Sequence, residues 1–259
     1  MDIRTSSQEL DHAVGESHRC GGCRTALDFA FDYAFQPIVD LRSRTIFAHE
    51  ALVRGPGGEP ASTVLSRVTD ANRYAFDQTC RVKAIRRAAE LGMHTLLSIN
   101  FLPNAVYQPE SCIRSTLNAA RRFGFPVERI VFEVTEGEKV DGEHLLDIFS
   151  KYDSMGFHTA LDDFGAGYSG LDMLCRFQPS ILKIDMSYVR DIHRSPAQQA
   201  IVEGIVWMAR RLGAKVVAEG VETAAERDCL AALQIHLMQG FLFARPTFRA
   251  LGGVDPGAW

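Results

Sequence analysis

"YAFQPIVDLRSRTIFAHEALVR", residues 33 to 54, contains two strand-like runs separated only by Arg42, Ser43 and Arg44. A parallel crossover needs about a dozen residues or more. The link "RSR" is far too short for one, so the two runs must form an antiparallel pair. This hairpin decides the fold, because nothing downstream repeats it.

Further along, short apolar runs alternate with longer helical ones. The strand-like runs are "TLLSINF" (95–101), "RIVFEVTE" (129–136), "FHTALDDF" (157–164), "SILKIDM" (180–186), "AKVVAEG" (214–220) and "IHLMQGFLF" (235–243). Most are continuous rather than alternating, as expected of strands buried on both faces. Between them lie stretches with apolar spacing of three or four: "QTCRVKAIRRAAELG", "SCIRSTLNAARRFG", "EHLLDIFSKYDSMG", "QQAIVEGIVWMARRLG" and "TAAERDCLAALQ". The first four end in glycine, a common helix stop. With the hairpin, the count is eight strands, the number of a (β/α)8 barrel. The expected fold is therefore α/β, a modified TIM (β/α)8 barrel with its first strand antiparallel. The expected division is a polar tail or small accessory element at 1–27, the barrel at 28–250 and a loose C-terminal tail at 251–259.

Composition agrees and excludes several classes. The 259 residues are 46% hydrophobic and 23% charged, ordinary for a globular chain with a substantial core. Net charge is −4 without a basic block, so no nucleic-acid polymer is an expected partner. Glu203 and Arg210 interrupt the most apolar helical run, and no secretory h-region opens the chain. Cys80, Cys112, Cys175 and Cys229 are scattered singly, which points to a reduced, cytoplasmic protein.

In such barrels the reactive groups sit at the C-terminal ends of strands. Read in order, those ends carry Glu50 and Arg54, Asn100, Glu133 and Glu136, Asp162 and Asp163, Lys183, Glu219 and Glu222, and Gln239. Any one of the acidic groups alone would be a solvated loop carboxylate. Together the acidic groups would repel strongly unless cations neutralised them. Hard oxygen donors favour Mg²⁺ or Mn²⁺. The adjacent Asp162 and Asp163 suit two ions, one carboxylate bridging, a common device for displacement at phosphorus.

The series "EALVR" (50–54), "SIN" (98–100), "FEVTE" (132–136), "DDFGAGYSGL" (162–171), "LKIDMSYV" (182–189), "VVAEGVET" (216–223) and "QGFLFARP" (239–246) resembles the motif series of EAL-domain cyclic di-GMP phosphodiesterases. The resemblance covers roughly residues 30 to 248. It implies hydrolysis of cyclic di-GMP to linear pGpG with two Mg²⁺ or Mn²⁺ ions, in bacterial signalling. It implies Glu50, Asn100, Glu133 and Asp162 as ligands of the first metal, Asp162 and Asp163 of the second, with Glu219 at the second ion or its waters. Lys183, Glu219 and Glu50 are the implied catalytic set, Lys183 hydrogen-bonding or deprotonating the attacking water. Gln36, Leu52, Arg54, Asn100, Asp163 and Gln239 are the implied substrate-binding set, Arg54 pairing with a phosphate. Glu136 and Glu222 brace the site, Glu136 by fixing the loop after Asp163. The resemblance further implies a homodimer, with the loop between Gly165 and Gly170 linking the metal site to the interface, and an upstream sensor as a possible partner.

Two departures stand out. His236 occupies a position where many relatives carry aspartate, and Ala166 replaces a frequent threonine. Neither is a ligand position. The alternative functions are a cyclic di-GMP receptor that does not cleave and a different barrel metalloenzyme of the enolase type. The intact ligand set favours the enzyme over the first, and the paired aspartates plus Arg54 disfavour the second. Three other features complete the reading. Cys20 and Cys23 have a metal or redox spacing but no second pair. "RVKAIRRAAE" (81–90) reads as a solvated outer face, and Trp207 reads as core packing.

Overall fold

A computed structural model of the chain describes residues 27–135, 142–167 and 170–259. Strand β1 (Asp32–Asp40) turns through residues 41–44 into β2 (Thr45–Arg54), and the two pair antiparallel along their whole length. After the short helix α1 (Ala61–Leu65) comes α2 (Arg73–Glu90), then β3 (Leu96–Asn100), α3 (Pro109–Phe123) and β4 (Ile130–Thr135). The chain continues through α4 (Gly142–Ser154), β5 (His158–Phe164), α5 (Gly170–Arg176), β6 (Ile181–Ile184) and α6 (Met186–Val189). It ends with α7 (Pro196–Leu212), β7 (Lys215–Ala218), α8 (Ala224–Ala232), β8 (Leu237–Met238) and β9 (Thr247–Phe248).

Strands β2 to β8 run parallel in order, and β1 closes the barrel by pairing antiparallel with both β2 and β8. The fold is thus the modified (β/α)8 barrel that the hairpin predicts. The two-residue strand β9, which the sequence pattern does not signal, pairs antiparallel with β1 at Ala34 and Phe35.

Local chemistry accounts for the element ends. Gly92, Gly124, Gly156 and Gly213, the four predicted helix stops, all adopt positive φ between 64° and 88°. Ser195 caps α7 by accepting from the Gln198 amide, with Pro196 at the first helical position. Thr223 and Glu226 form a capping box on α8.

Three expectations change. Trp207 is 65% exposed on the outer face of α7, stacked under Arg211 rather than in the core. The basic stretch on α2 is not wholly solvated: Arg81 is fully buried, and Arg87 forks onto the buried Asp32. Finally, residues 251–259 are held down. Arg227 donates to the carbonyl oxygens of Ala258 and Trp259, and the Asp255 amide bonds to Phe243. Ala258 is buried in the core and Leu251, Val254 and Trp259 pack against it, apolar contacts too widely spaced among small and polar residues to show as a periodic run.

Candidate metal centre

Inside the barrel, alternation along each strand places every second residue on the axis. Ala48 and Glu50, Val131 and Glu133, Ala160 and Asp162, Ile181 and Lys183 each follow one another two residues apart. The first of each pair is apolar and packs in a small inner cluster with Ile38 and Val217. The second is polar and sits one step nearer the C-terminal mouth.

Lys183 is fully buried at the centre of that mouth. Its Nζ lies 2.7 Å from Glu219 Oε1, 2.9 Å from Asp162 Oδ1, 3.2 Å from Glu133 Oε2 and 3.7 Å from Glu50 Oε2. Asn100 Nδ2 donates to Glu50 Oε1 at 2.9 Å, which leaves its carbonyl oxygen for another partner. Gln239 Nε2 donates to Glu50 Oε2 at 2.8 Å and to Gln36 Oε1 at 3.2 Å, and Gln36 Nε2 is anchored on the Ala244 carbonyl.

Adjacent strand residues normally face opposite sides of a sheet, so Asp162 and Asp163 should not share a site. The pairing of β5 with β6 breaks register between Leu161 and Phe164, and Asp163 takes a left-handed backbone with φ of 52°. Aspartate tolerates that region better than most residues. The resulting bulge turns both carboxylates toward the mouth. Carboxylate oxygens of Glu50, Glu133 and Asp162 lie within 4.8 Å of one another, as do those of Asp162, Asp163 and Glu219.

Five carboxylates thus face one ammonium. Burial, together with the charges of Glu50 and Asp162, pushes the Glu133 carboxyl up to about 8 despite Lys183. Burial and then the neighbouring Asp162 push Asp163 up to about 6. Burial also drives Glu219 well above the usual carboxylate range. Lys183 moves the same way for the opposite reason. Burial lowers its affinity for a proton, but Asp162, Glu133, Glu219 and Glu50 together outweigh that, so it is an ammonium here.

The donor set fits divalent cations. It is all oxygen, carries more negative charge than Lys183 can balance, and forms two overlapping carboxylate clusters that share Asp162. A buried carboxylate oxygen, Asp162 Oδ1, makes the ion-pair approach to Lys183 and no aligned hydrogen bond among the described residues.

The remaining expected residues are placed unevenly. A cavity of about 240 Å³ opens at the mouth, lined by Gln36, Glu50, Asp163, Glu219, Glu222 and Gln239. Glu222 is held there by a two-pronged pair with Arg190 of the segment after α6. Leu52 and Arg54 continue β2 past Glu50 on the same parity, but the Arg54 guanidinium donates to its own neighbour's carbonyl, Val53 O, and not to the site. His236 precedes β8, at the far end of the barrel from the carboxylates. Glu136, Cys20 and Cys23 lie outside the described residues.

The cavity also takes in Asp185, Met186 and Phe241, which the sequence reading passed over. Asp185 could have been found: it stands two residues after Lys183, the next inward position of "LKIDM". At Gly165 the loop after Asp163 is packed against its neighbour. Tyr188 donates to the Gly165 carbonyl, and a Cβ on Gly165 would come within 2.6 Å of the Tyr188 ring.

The fold is thus a (β/α)8 barrel with one reversed strand and a buried acidic mouth whose carboxylates could hold divalent cations. The EAL domain family model matches residues 24–246, and the chain belongs to that family. The antirepressor BluF of Escherichia coli K12, regulated by blue light and temperature, is 31% identical over all of this chain and 64% of its own length. The cyclic di-GMP phosphodiesterase RocR of Pseudomonas aeruginosa is 34% identical over 62% of this chain and 41% of RocR. The chain thus spans less than two thirds of these relatives. Among solved structures, a standalone EAL protein from Vibrio cholerae O395 with c-di-GMP bound superposes with a TM-score of 0.88 at 52% identity, covering 90% of this chain and 99% of its own. Klebsiella pneumoniae BlrP1, solved as a manganese and cyclic di-GMP complex, gives 0.83 at 35% identity over 88% and 59% of the two chains. Its calcium and cyclic di-GMP complex gives 0.82 at 35% identity, over 89% and 60%.

Proposed function

We propose that this chain hydrolyses cyclic di-GMP to linear pGpG in the cytoplasm, with two Mg²⁺ or Mn²⁺ ions at the barrel mouth. The observation that carries this reading is the shared Asp162: two carboxylate clusters overlap on it, around one buried lysine. In this reading Glu50, Asn100, Glu133 and Asp162 would hold one ion, and Asp162 and Asp163 the other, with Glu219 beside it. Bound ions would supply a water of lowered pKa and neutralise charge growing on the phosphoryl oxygens. Lys183 donates to that water and orients it. The water oxygen gives up a proton and bonds to phosphorus, the bond from phosphorus to the 3′ oxygen breaks, and the 3′ oxygen takes up a proton and leaves as the hydroxyl.

Gln239 has a second task beside bracing Glu50. Its Oε1 is buried and makes no hydrogen bond among the described residues, so it is free to accept from guanine or ribose. Arg54 leaves Val53 to fork onto a phosphate. Leu52 and Gln36 flank the ligand, and Glu222 and Glu136 brace the loops. The barrel domain in this reading is residues 28–250, where the family model matches 24–246. The exposed Leu171 and Met186 lie next to the loop after Asp163 and support a homodimer interface there, through which a sensor protein acts.

Incubation with cyclic di-GMP and Mn²⁺ should yield pGpG by chromatography. Ca²⁺, larger and tolerant of irregular geometry, should bind and give no turnover. Binding of cyclic di-GMP without any product under Mn²⁺ would make the chain a receptor instead. Turnover after exhaustive chelation would refute the role of the metals.

A further inference from the structure

Outside the barrel wall, under α2, lies a charged pair that the mouth does not use. The side chains of Asp77 and Arg81 are 1% and 0% exposed, with Nη2 of Arg81 2.8 Å from Asp77 Oδ2. Arg81 Nη1 donates to the Tyr152 hydroxyl at 2.6 Å. The guanidinium also lies 5.2 Å from the Phe101 ring centroid and 5.0 Å from that of Phe132. The other oxygen of Asp77 accepts from the Leu102 amide at 3.0 Å.

Those contacts fall on particular neighbours. Phe101 and Leu102 directly follow Asn100, and Phe132 directly precedes Glu133. The Phe101 amide in turn donates to the Glu133 carbonyl at 3.1 Å. Alternation sends Asn100 and Glu133 into the mouth while Phe101 and Phe132 face outward. One buried cation therefore touches the outward neighbours of two inward ligands, and its counter-ion holds the amide just beyond β3. Burying such a pair contributes little to stability, because desolvation offsets the attraction; apolar residues of similar volume usually do as well. What apolar residues lack is direction: they cannot hold the Leu102 amide at a set height.

We propose that Asp77 and Arg81 are positioning residues that set the ends of β3 and β4, and through them Asn100 and Glu133, for divalent cation binding. This rests on the metal reading of the mouth. The test uses Mn²⁺ alone, by titration calorimetry and by the Mn²⁺-induced rise in Tm, with no nucleotide present. The double variant Asp77→Leu/Arg81→Met should fold with a modestly lowered metal-free Tm, because the Leu102 amide and the Tyr152 hydroxyl lose their partners while the desolvated ion pair itself contributes little. Its Mn²⁺ affinity should fall about 10–100-fold, the usual effect of removing groups that orient ligands. Tyr152→Phe, which keeps the ring and the ion pair and removes only one acceptor, should lose several-fold. Ile181→Ala should lower Tm and leave Mn²⁺ affinity unchanged, separating position from general loosening. Should the double variant fail to fold, Tyr152→Phe decides. Unchanged Mn²⁺ affinity in a folded double variant, or in Tyr152→Phe when that variant decides, overturns the proposal. If the unaltered protein does not bind Mn²⁺, the metal reading fails first, and this inference with it.

Discussion

The two inner layers of the barrel use the same strands and obey opposite rules. In the lower layer, Ala48, Val131, Ala160, Ile181 and Val217 fill the axis with small and branched apolar side chains, all 4% exposed or less. Two residues further on, the same strands carry Glu50, Glu133, Asp162, Lys183 and Glu219. The first layer lowers the free energy of the fold by removing apolar surface from water. The second raises it, since buried like charges repel and lose hydration. The difference teaches that the lower layer and the helices outside it must carry the stability that the mouth spends on chemistry.

The strongest way to break this comparison is Asp162→Asn. It removes the carboxylate shared by both clusters and replaces it with an amide of the same shape. Turnover of cyclic di-GMP should fall by about 10³-fold or more, on the scale of losing a major electrostatic element of a site. Stability should move the other way. With chelator present, calorimetry should give a higher Tm for the variant, because one of five crowded carboxylates is gone. A variant that is both active and less stable would show that the mouth is not the strained layer.

Ile181→Ala inverts the expectation. It sits two residues before Lys183 on β6 and is 4% exposed. Loss of its methyl groups and the cavity left behind should cost about 2–5 kcal/mol in urea unfolding. KM should stay within a few-fold, since no mouth residue loses a partner. A collapse of kcat with little loss of stability would mean the layers are mechanically coupled.

Much of this contrast was legible in the sequence, for a physical reason. Buried parallel strands read as continuous apolar runs, so a charged residue at their ends stands out: Glu133 in "RIVFEVTE", Lys183 in "SILKIDM". The link "RSR" was equally plain, because chain length alone forbids a crossover. What escaped depended on contacts between distant segments. Arg81 looks like a solvated cation until Asp77, Phe101, Phe132 and Tyr152 are brought around it. Trp207 looks like core until α7 turns it outward. Strand β9 is only two residues long, and no periodicity can signal that. The bulge that lets Asp162 and Asp163 share a site leaves no composition signal either; only the adjacency of the two aspartates hints at it.

The subtlest test compares two kinds of buried carboxylate by pH. Asp32 is 2% exposed, more buried than Glu50 or Asp162 in the mouth. Burial alone would raise its pKa, but Arg87 forks onto both oxygens and Arg249 adds a third contact at 2.6 Å, and the net shift is downward. A carboxylate with a depressed folded pKa stabilises above its unfolded value, near 3.9, and that stability is lost as pH falls through the folded value. Glu133 at about 8 and Asp163 at about 6 have the opposite sign. Their contribution is intact below the unfolded values, near 4, and is lost as pH rises toward 6 and then 8. Metal-free protein should therefore be most stable in mildly acid solution, with a fall on the acid side that Asp32→Asn flattens. On the alkaline side the decline should vanish when saturating Mn²⁺ is added, because cations bind the ionised form. Urea midpoints from pH 3 to pH 8.5, with and without Mn²⁺, measure both limbs. An alkaline limb that Mn²⁺ leaves unchanged would mean that the mouth carboxylates are not where the cation binds.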